Sequence, residues 1–202
     1  MVPDLSAFVL AGGKSTRMGR DKATLPFSGQ TLLESALALA RSVTQDVFVF
    51  ILGSPELYGA YGQVVPDIFP GCGPLGSIHA ALTHAKTDLN LILAVDTPFL
   101  SNRLPAYLVE QARESRATVI TPEINSYPQP LCAVYRRDFL PIAEQALRAG
   151  RYKIVPLFPQ GRTLVIPEAE LKRFAFTAEM FENLNTPEEL EQARRRISDK
   201  RL

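Results

Sequence analysis

The sequence predicts a three-layer α/β domain built on a mostly parallel sheet, and three observations predict it. Short apolar runs of β-favouring residues alternate with stretches of helical periodicity along the chain, the pattern of a parallel sheet covered by helices. The run at residues 89–95, Leu-Asn-Leu-Ile-Leu-Ala-Val, lacks period-two alternation, so it belongs to a central strand covered on both faces. Two runs, ending at Leu10 and Val95, stop in chemically distinctive loops, and ligands of open α/β sheets sit beyond the carboxyl ends of the strands.

Each element has its own local signal. Ala7-Phe8-Val9-Leu10 is short, apolar and halted by Gly12-Gly13, as a buried strand feeding a loop would be. Thr31 and Glu34 make a capping box, after which Leu32, Leu33, Ala36, Leu37 and Ala40 recur at helical spacing. A strand rich in Val, Phe and Ile is expected at residues 47–52. Pro66, Pro70, Gly71, Gly73 and Pro74 punctuate a loop, and a helix is expected over 75–85. Asp96-Thr97-Pro98 ends the central strand. Helices near 104–113 and 139–149 flank strands near 118–121 and 131–135, and a short strand at 163–166 precedes the last helix. That helix is announced by Thr186 as N-cap, Pro187 at the first helical position and Glu189 completing a second capping box. No repeat, low-complexity segment or linker interrupts the chain, so its 202 residues are read as a single domain, 1–202.

Composition excludes several classes of function. Hydrophobic residues make up 46% and charged residues 21%, as in ordinary globular proteins and unlike disordered or fibrous chains. Lys plus Arg exceed Asp plus Glu by 22 − 21 = 1. Without a broad basic field, no nucleic acid and no membrane partner is expected, and an anionic ligand must be held locally. No apolar run approaches the ~18 residues of a membrane span, and the first residues lack the basic segment of a signal peptide. Cys72 and Cys132 stand alone, neither in a CxxC pair, and read as reduced thiols of a cytoplasmic protein. His79 and His84 are five apart, off ligand spacing on a helix. The basic cluster Arg194-Arg-Arg196 and Lys200-Arg201 sits at a helix C-terminus, where the dipole favours cations.

The segment Leu10-Ala-Gly-Gly-Lys-Ser-Thr-Arg-Met-Gly-Arg-Asp-Lys22 carries the first chemistry. It is not a Walker A loop, because the glycine required five residues before Gly13 is Phe8, and it is not GxGxxG, because its glycines are 12, 13 and 19. It is a glycine pair at a strand end followed by Lys14, Arg17, Arg20 and Lys22. Glycines let backbone N–H groups approach a base or phosphate. The Arg17 fork can bind phosphate oxygens bidentately, and Lys22 acts as a point charge. The alternative is a solvated turn with ordinary surface cations.

Asp96 is a carboxylate at the end of an almost wholly apolar strand. An unpaired buried charge is costly, so it must meet water, a helix N-terminus or a cation. Mg²⁺ takes one or two protein carboxylates and completes its shell with phosphate oxygens and water, which makes Asp96 a candidate ligand for magnesium on a triphosphate. The alternative is an Asx-type cap of a helix after Pro98. Asp67, after Val64-Val65-Pro66, is a second acid at a strand end, with a turn residue as its other reading.

At these residues the chain resembles the molybdenum cofactor guanylyltransferases, members of the wider nucleotidyltransferase group. The matching pieces run in order along nearly the whole chain. They are Leu10-Ala-Gly-Gly with Arg17-Met-Gly-Arg-Asp-Lys22, Asp67, Gly73-Pro-Leu-Gly76, Asp96-Thr-Pro-Phe99, Gln129-Pro-Leu131 and Asn183-Leu-Asn-Thr-Pro-Glu-Glu-Leu190. The resemblance implies a Rossmann-like nucleotidyltransferase fold and a reaction in which the phosphate of molybdenum-loaded molybdopterin attacks the α-phosphate of GTP and pyrophosphate leaves. It implies that Leu10, Ala11 and Gly12 line the guanine pocket, that Gly13 also binds the nucleotide and that Lys22 holds phosphate. It further implies that Asp67 and Gly73 lie at the nucleotide, that Asp96 and Asn185 bind Mg²⁺, and that Gln129 faces the pterin. Lys22, Arg17 and Asp96 form the expected catalytic set; for Asn185 a purely structural place before Pro187 stays open.

The partners implied are GTP, molybdenum-molybdopterin, other cofactor-assembly proteins and molybdoenzyme apoproteins, with the chain itself a monomer. Relatives that use CTP tend to carry Leu-Ala-Ala-Gly, so Gly12 favours guanine. One position departs from the family. Guanylyltransferases commonly end the second strand with a nucleotide-contacting asparagine, and here Val49-Phe-Ile-Leu-Gly53 offers no such donor from Phe50 or Leu52. Three rivals remain in view: a molybdopterin cytidylyltransferase, a sugar-phosphate nucleotidyltransferase, and a non-catalytic nucleotide-binding module.

Overall fold

The structure, a computed structural model, describes residues 4–11, 22–50, 61 and 63–199. Gly12, Gly13, Arg17 and Leu52 lie outside the described residues. In chain order the elements are β1 (Leu5–Leu10), β2 (Pro26–Phe27), β3 (Gln30–Thr31), α1 (Leu32–Arg41), β4 (Val47–Phe50), β5 (Gln63–Val65), α2 (Gly73–His84) and β6 (Leu89–Ala94). There follow α3 (Leu104–Glu114), β7 (Val119–Ile124), β8 (Tyr127–Pro128), β9 (Cys132–Arg136), α4 (Leu140–Arg148), β10 (Thr163–Ile166), α5 (Glu168–Arg173) and α6 (Pro187–Asp199).

The main sheet has the order β10-β7-β9-β6-β1-β4-β5, with β8 added to β7. Strands β10 and β7, and β6, β1, β4 and β5, pair in parallel. Only β9 runs against both of its neighbours on that path. The reason is length: residues 125–131 join β7 to β9, and a parallel return needs a crossover of about a dozen residues or more. From β1 the chain lays down β4 and β5 on one side and then crosses to β6 on the other. Strand order therefore reverses at β1, where a ligand crevice forms in such sheets.

Alternation within β1 divides the core. Leu5, Ala7 and Val9 face one layer with α1, α3, α5 and α6, through Leu33, Leu37, Leu108, Leu171 and Leu190. Phe8 and Leu10 face the other, against Ile78 and Leu82 of α2 and Ala143 and Leu147 of α4. Every residue of β1 and β6 is buried, as expected of strands covered on both sides. The expected box at α1 is present: Thr31 Oγ1 accepts from Glu34 N–H, and Glu34 returns a carboxylate to the Thr31 N–H. Phe50, at the departing position, is fully buried in the α2/α4 layer, in register with Leu10.

Three short pieces had no clear signal, the two-residue strand β8 among them. The β2–β3 ribbon is two residues a side and turns through Ser28 and Gly29, both at positive φ. Helix α5 has six residues, too few for periodicity to register. At the amino edge of the sheet a buried polar network ties β1, β6 and β9. Ser6 donates to Asp46 at 2.5 Å, Thr87 donates to Ser6 at 2.8 Å, and Asn90 Nδ2 donates to the carbonyls of Asp88 and Tyr135 at 3.0 and 3.3 Å. Among the described residues no helix is long and apolar enough to cross a membrane.

Candidate active site

Parallel pairing sets Leu10 beside both Ala94 and Phe50, and Phe50 beside Val65. The residues that follow these strands, Ala11, Asp96 and Asp67, therefore leave one edge of the sheet. Leu10 and Ala11 are buried, and their backbone is locked: Ala11 N–H donates to the Phe50 carbonyl at 2.9 Å, and the Leu10 carbonyl accepts from Val95 N–H at 3.3 Å.

Three polar side chains converge here. Lys22 Nζ donates to Asp96 Oδ2 at 3.2 Å and to Asn185 Oδ1 at 3.1 Å. The Lys22 and Asp96 side chains are 13% and 26% exposed, so this ion pair is shielded more than a surface pair, whose worth is about 0–1 kcal/mol. Asp96 Oδ1 is buried and has no hydrogen-bond partner among the described residues. A carboxylate oxygen so placed is an open acceptor, since unmet polar groups are costly. It fits a hard cation. Among the described residues no three His, Cys, Asp or Glu side chains gather to hold a metal; magnesium takes one or two protein carboxylates and completes its shell with phosphate oxygens and water.

Each of the three is mounted by a local device. Lys22 opens a 3₁₀ turn, Lys22–Thr24, whose Ala23 is fully buried. Asp96 does not cap a described helix: α3 begins at Leu104 with Arg103 at its N-cap, and the Asp96 carbonyl instead accepts from Leu184 N–H at 2.9 Å. Asn185 owes its place to the second expected capping box. Glu189 accepts from the N–H groups of Thr186 and Asn185, at 3.1 and 2.5 Å, and Thr186 Oγ1 accepts from Glu189 N–H at 3.2 Å. Phe99 packs edge-on against Phe27 of the β2–β3 ribbon at 5.5 Å, with the Arg196 guanidinium 5.1 Å from its ring centre. These contacts bind the Lys22 segment, the Asp96 loop and α6 together. Arg196 also pairs with Glu182 at 2.6 Å, a structural use of the basic cluster.

Asp67 and Gly73 lie at the same edge beyond β5, and no contact among the described residues joins them to the three. Asp67 Oδ1 accepts from Phe69 N–H at 3.0 Å, the turn that was its alternative reading. Gly73 has φ +67° with open space where a Cβ would stand, so backbone conformation is what requires glycine there. His79 is a core residue, edge-on to Phe69 at 4.9 Å.

Beside the three lies a cavity of about 210 Å³, whose lining includes Asp96, Tyr127, Gln129, Cys132, Asn183 and Asn185. Gln129 is held by its own backbone N–H, which donates to the Pro122 carbonyl and Thr121 Oγ1 at 2.9 and 3.1 Å. Burial pushes the Cys132 thiol up to about 12, so it is protonated at neutral pH and is no nucleophile. Asn183 and Tyr127 are additions to the residues expected from sequence. Asn183 belonged to the quoted C-terminal motif, whereas an aromatic in a Pro-flanked turn gives no signal.

The family model described as the MobA-like NTP transferase domain matches residues 7–162, well over half of the chain. The chain belongs to this family. Residues 22, 67, 73, 96 and 129 fall inside that span. Asn183 and Asn185 lie beyond it and are brought in by the Leu184–Asp96 backbone bond. A relative from Pelotomaculum thermopropionicum, named "Probable molybdenum cofactor guanylyltransferase", is 36% identical over 188 residues, 92% of this chain and 90% of that one. A molybdenum cofactor guanylyltransferase of Desulfosudis oleivorans is 33% identical over 200 residues, 98% of each chain. The crystal structure of molybdopterin-guanine dinucleotide biosynthesis protein A from Archaeoglobus fulgidus matches with a TM-score of 0.82 at 25% identity, over 96% of this chain and 99% of that one.

Proposed function

We infer that this MobA-like NTP transferase moves GMP from GTP to molybdopterin, forming the molybdopterin guanine dinucleotide cofactor and releasing pyrophosphate. The observation that carries the reading is the convergence of Lys22, Asp96 and Asn185 at the strand-order reversal, beside a cavity free to take the acceptor. A phosphate oxygen of molybdopterin forms the new bond to the α-phosphorus of GTP as the bond to the pyrophosphate oxygen breaks. Transfers of this kind depend on positioning and charge neutralisation rather than covalent help from the protein. Molybdenum travels with the acceptor as cargo.

Leu10 and Ala11, fixed between β4 and β6, offer backbone to the base; Gly12 and Gly13 are assigned to nucleotide binding, and the identity of residue 12 as glycine favours guanine. Asp67 and Gly73 border the nucleotide across the edge of the sheet. Lys22, joined by Arg17, meets the charge that builds on the leaving pyrophosphate. Mg²⁺, held by Asp96 and Asn185, would supply further neutralisation of the triphosphate oxygens. Gln129 faces the acceptor. Residues 1–202 act as one domain in this reading.

The test is pyrophosphate release with molybdopterin and GTP, CTP or UTP side by side, together with calorimetric titration of GTP and CTP with and without magnesium. GTP should be the substrate of choice and should bind more tightly with magnesium present. Preference for CTP or UTP would overturn the guanylyl reading, and binding of no nucleotide would overturn the enzyme reading.

A further inference from the structure

Tyr127 is one of the large hydrophobic side chains that the chain leaves exposed, at 58%. It is not on a loose loop. Asn125 and Ser126, at φ 50° and 60°, form the two-residue connection between β7 and β8, and two successive positive φ values are the mark of a tight type I′ hairpin turn. Ile124 and Tyr127 are paired across it. The Asn125 N–H donates to Glu168 Oε2 at 3.1 Å, and Glu168 is itself paired with Lys172 at 2.8 Å. On the other side the Tyr127 carbonyl accepts from Gln129 Nε2 at 2.9 Å. The backbone is thus pinned from two elements while the ring stays uncovered, on the wall of the cavity that also contains Asp96, Gln129 and Asn185.

The protein gains little packing from an aromatic ring held this way, and a flat ligand would gain a great deal. At about 210 Å³ the cavity falls short of the roughly 300–1,000 Å³ of pockets that enclose whole drug-sized ligands. It suits one flat ring system of an acceptor whose phosphate reaches toward Asp96. The Gln129 amide, bonded through Nε2 to the Tyr127 carbonyl and lining the same cavity, is a polar partner for ring heteroatoms. A heteroaromatic ring stacks on an aromatic side chain through its π-face, and the two χ angles of tyrosine make that platform cheap to order.

We propose that Tyr127 is a specificity-determining residue for the acceptor, the platform on which the pterin ring of molybdopterin stacks. The proposal rests on the transferase reading above. Stacking contributes to holding the acceptor and not to the bond exchange at phosphorus, so its loss should fall on one kinetic constant. In Y127A the KM for molybdopterin should rise roughly ten- to a hundredfold, the range that stacking of a base on an aromatic side chain supplies. The KM for GTP and kcat at saturating acceptor should change little. Y127F keeps the ring and should restore the acceptor KM.

The chain contains no tryptophan, so Y127W carries a single indole at the proposed platform, and pterin added alone should quench its fluorescence. An unchanged acceptor KM in Y127A overturns the proposal, as does an equal loss in Y127F and Y127A, which would assign the effect to the hydroxyl. Unquenched Y127W fluorescence at pterin concentrations that inhibit transfer also overturns it. Failure of the unmodified protein to turn over GTP with molybdopterin is a different result. It refutes the transferase reading, while the quench by pterin still reads the platform by itself.

Discussion

Replacing Lys22 with methionine keeps the length of the aliphatic stem and removes the ammonium that joins Asp96 to Asn185. Two hydrogen bonds are lost, at 3.2 and 3.1 Å, the first of them to a charged carboxylate only 26% exposed. Hydrogen bonds to charged groups contribute about 1.5–3 kcal/mol, and the variant leaves Asp96 with both oxygens unmatched among the described residues. Allowing for the apolar contact that methionine retains, folding should lose about 2 kcal/mol, a fall in Tm of about 4–8 °C for a chain of this size. The catalytic loss should be larger, because a charge aimed at the leaving pyrophosphate acts mainly in the transition state. One such group is worth roughly 2.7–4 kcal/mol, or 10²–10³ in rate. Pyrophosphate release under saturating GTP and molybdopterin reads the second effect, and thermal unfolding reads the first. Calorimetry adds a third readout: with the ammonium gone, Asp96 and Asn185 should take up Mg²⁺ more tightly in the absence of nucleotide. A variant within tenfold of the unmodified kcat would refute the placement of Lys22 at the developing charge, even if its Tm fell as expected.

Three further outcomes follow from other parts of the molecule. D96A should lose transfer by roughly 10²–10³ while keeping a cooperative thermal transition; disappearance of that transition would make Asp96 a structural residue instead. N90A, at the opposite edge of the sheet, should do the reverse. It strips side-chain donors from the Asp88 and Tyr135 carbonyls, the first of which keeps the Arg137 N–H, and should cost about 1–3 kcal/mol by denaturant titration, with kcat at permissive temperature preserved. His79 gives a pH dependence. Burial holds its imidazole below the ordinary 6.5, with the nearby charges of Glu144, Arg148 and Asp67 acting as smaller influences. The unfolded chain therefore binds the proton more readily than the folded one between the depressed value and 6.5, so stability should fall as pH drops through that window. H79F should flatten the fall, and an equal acid dependence in both proteins would assign it to other groups.

Most of the sheet was legible in the sequence because its strands announce themselves by burial. Residues 5–10 and 89–94 are buried on both faces, so they read as unbroken apolar runs. The helices were legible where caps were present, as at Thr31–Glu34 and Thr186–Glu189. What escaped was either too short to carry a period, as with α5 and the β2–β3 ribbon, or a matter of direction. Nothing in Cys132–Arg136 states that β9 runs antiparallel; the brevity of the link after β7 decides it. The site was legible as residue types at strand ends, Asp96 above all, and as motifs for Lys22 and Asn185. Their meeting was not legible, because 163 positions separate Lys22 from Asn185 and a single backbone bond, Leu184 to Asp96, brings the C-terminal motif to the sheet. Tyr127 was invisible, since an exposed tyrosine has meaning only beside a cavity.

The two edges of the sheet handle polar groups in opposite ways, and the contrast argues for which edge works. At the amino edge Ser6, Thr87 and Asn90 are buried and mutually satisfied, with the Tyr135 carbonyl included. Such closed networks fix strand register and offer nothing to a ligand. At the carboxyl edge Asp96 Oδ1 is buried and unmatched among the described residues, while Lys22 donates to the other oxygen and to Asn185 Oδ1. A chain that satisfies every member of one network has the means to satisfy a second. That the open acceptor stands where the strand order reverses, beside a cavity walled by Gln129 and Asn183, is explained by an occupant that carries the missing positive charge together with the phosphates that accompany it. In the proposed reading the Lys22 ammonium has two employments: it bridges Asp96 and Asn185 as the structure shows, and it turns to phosphate when the nucleotide binds. Both employments need a cation on a flexible stem, which is why lysine suits this position better than arginine, whose planar fork would hold one partner in one geometry.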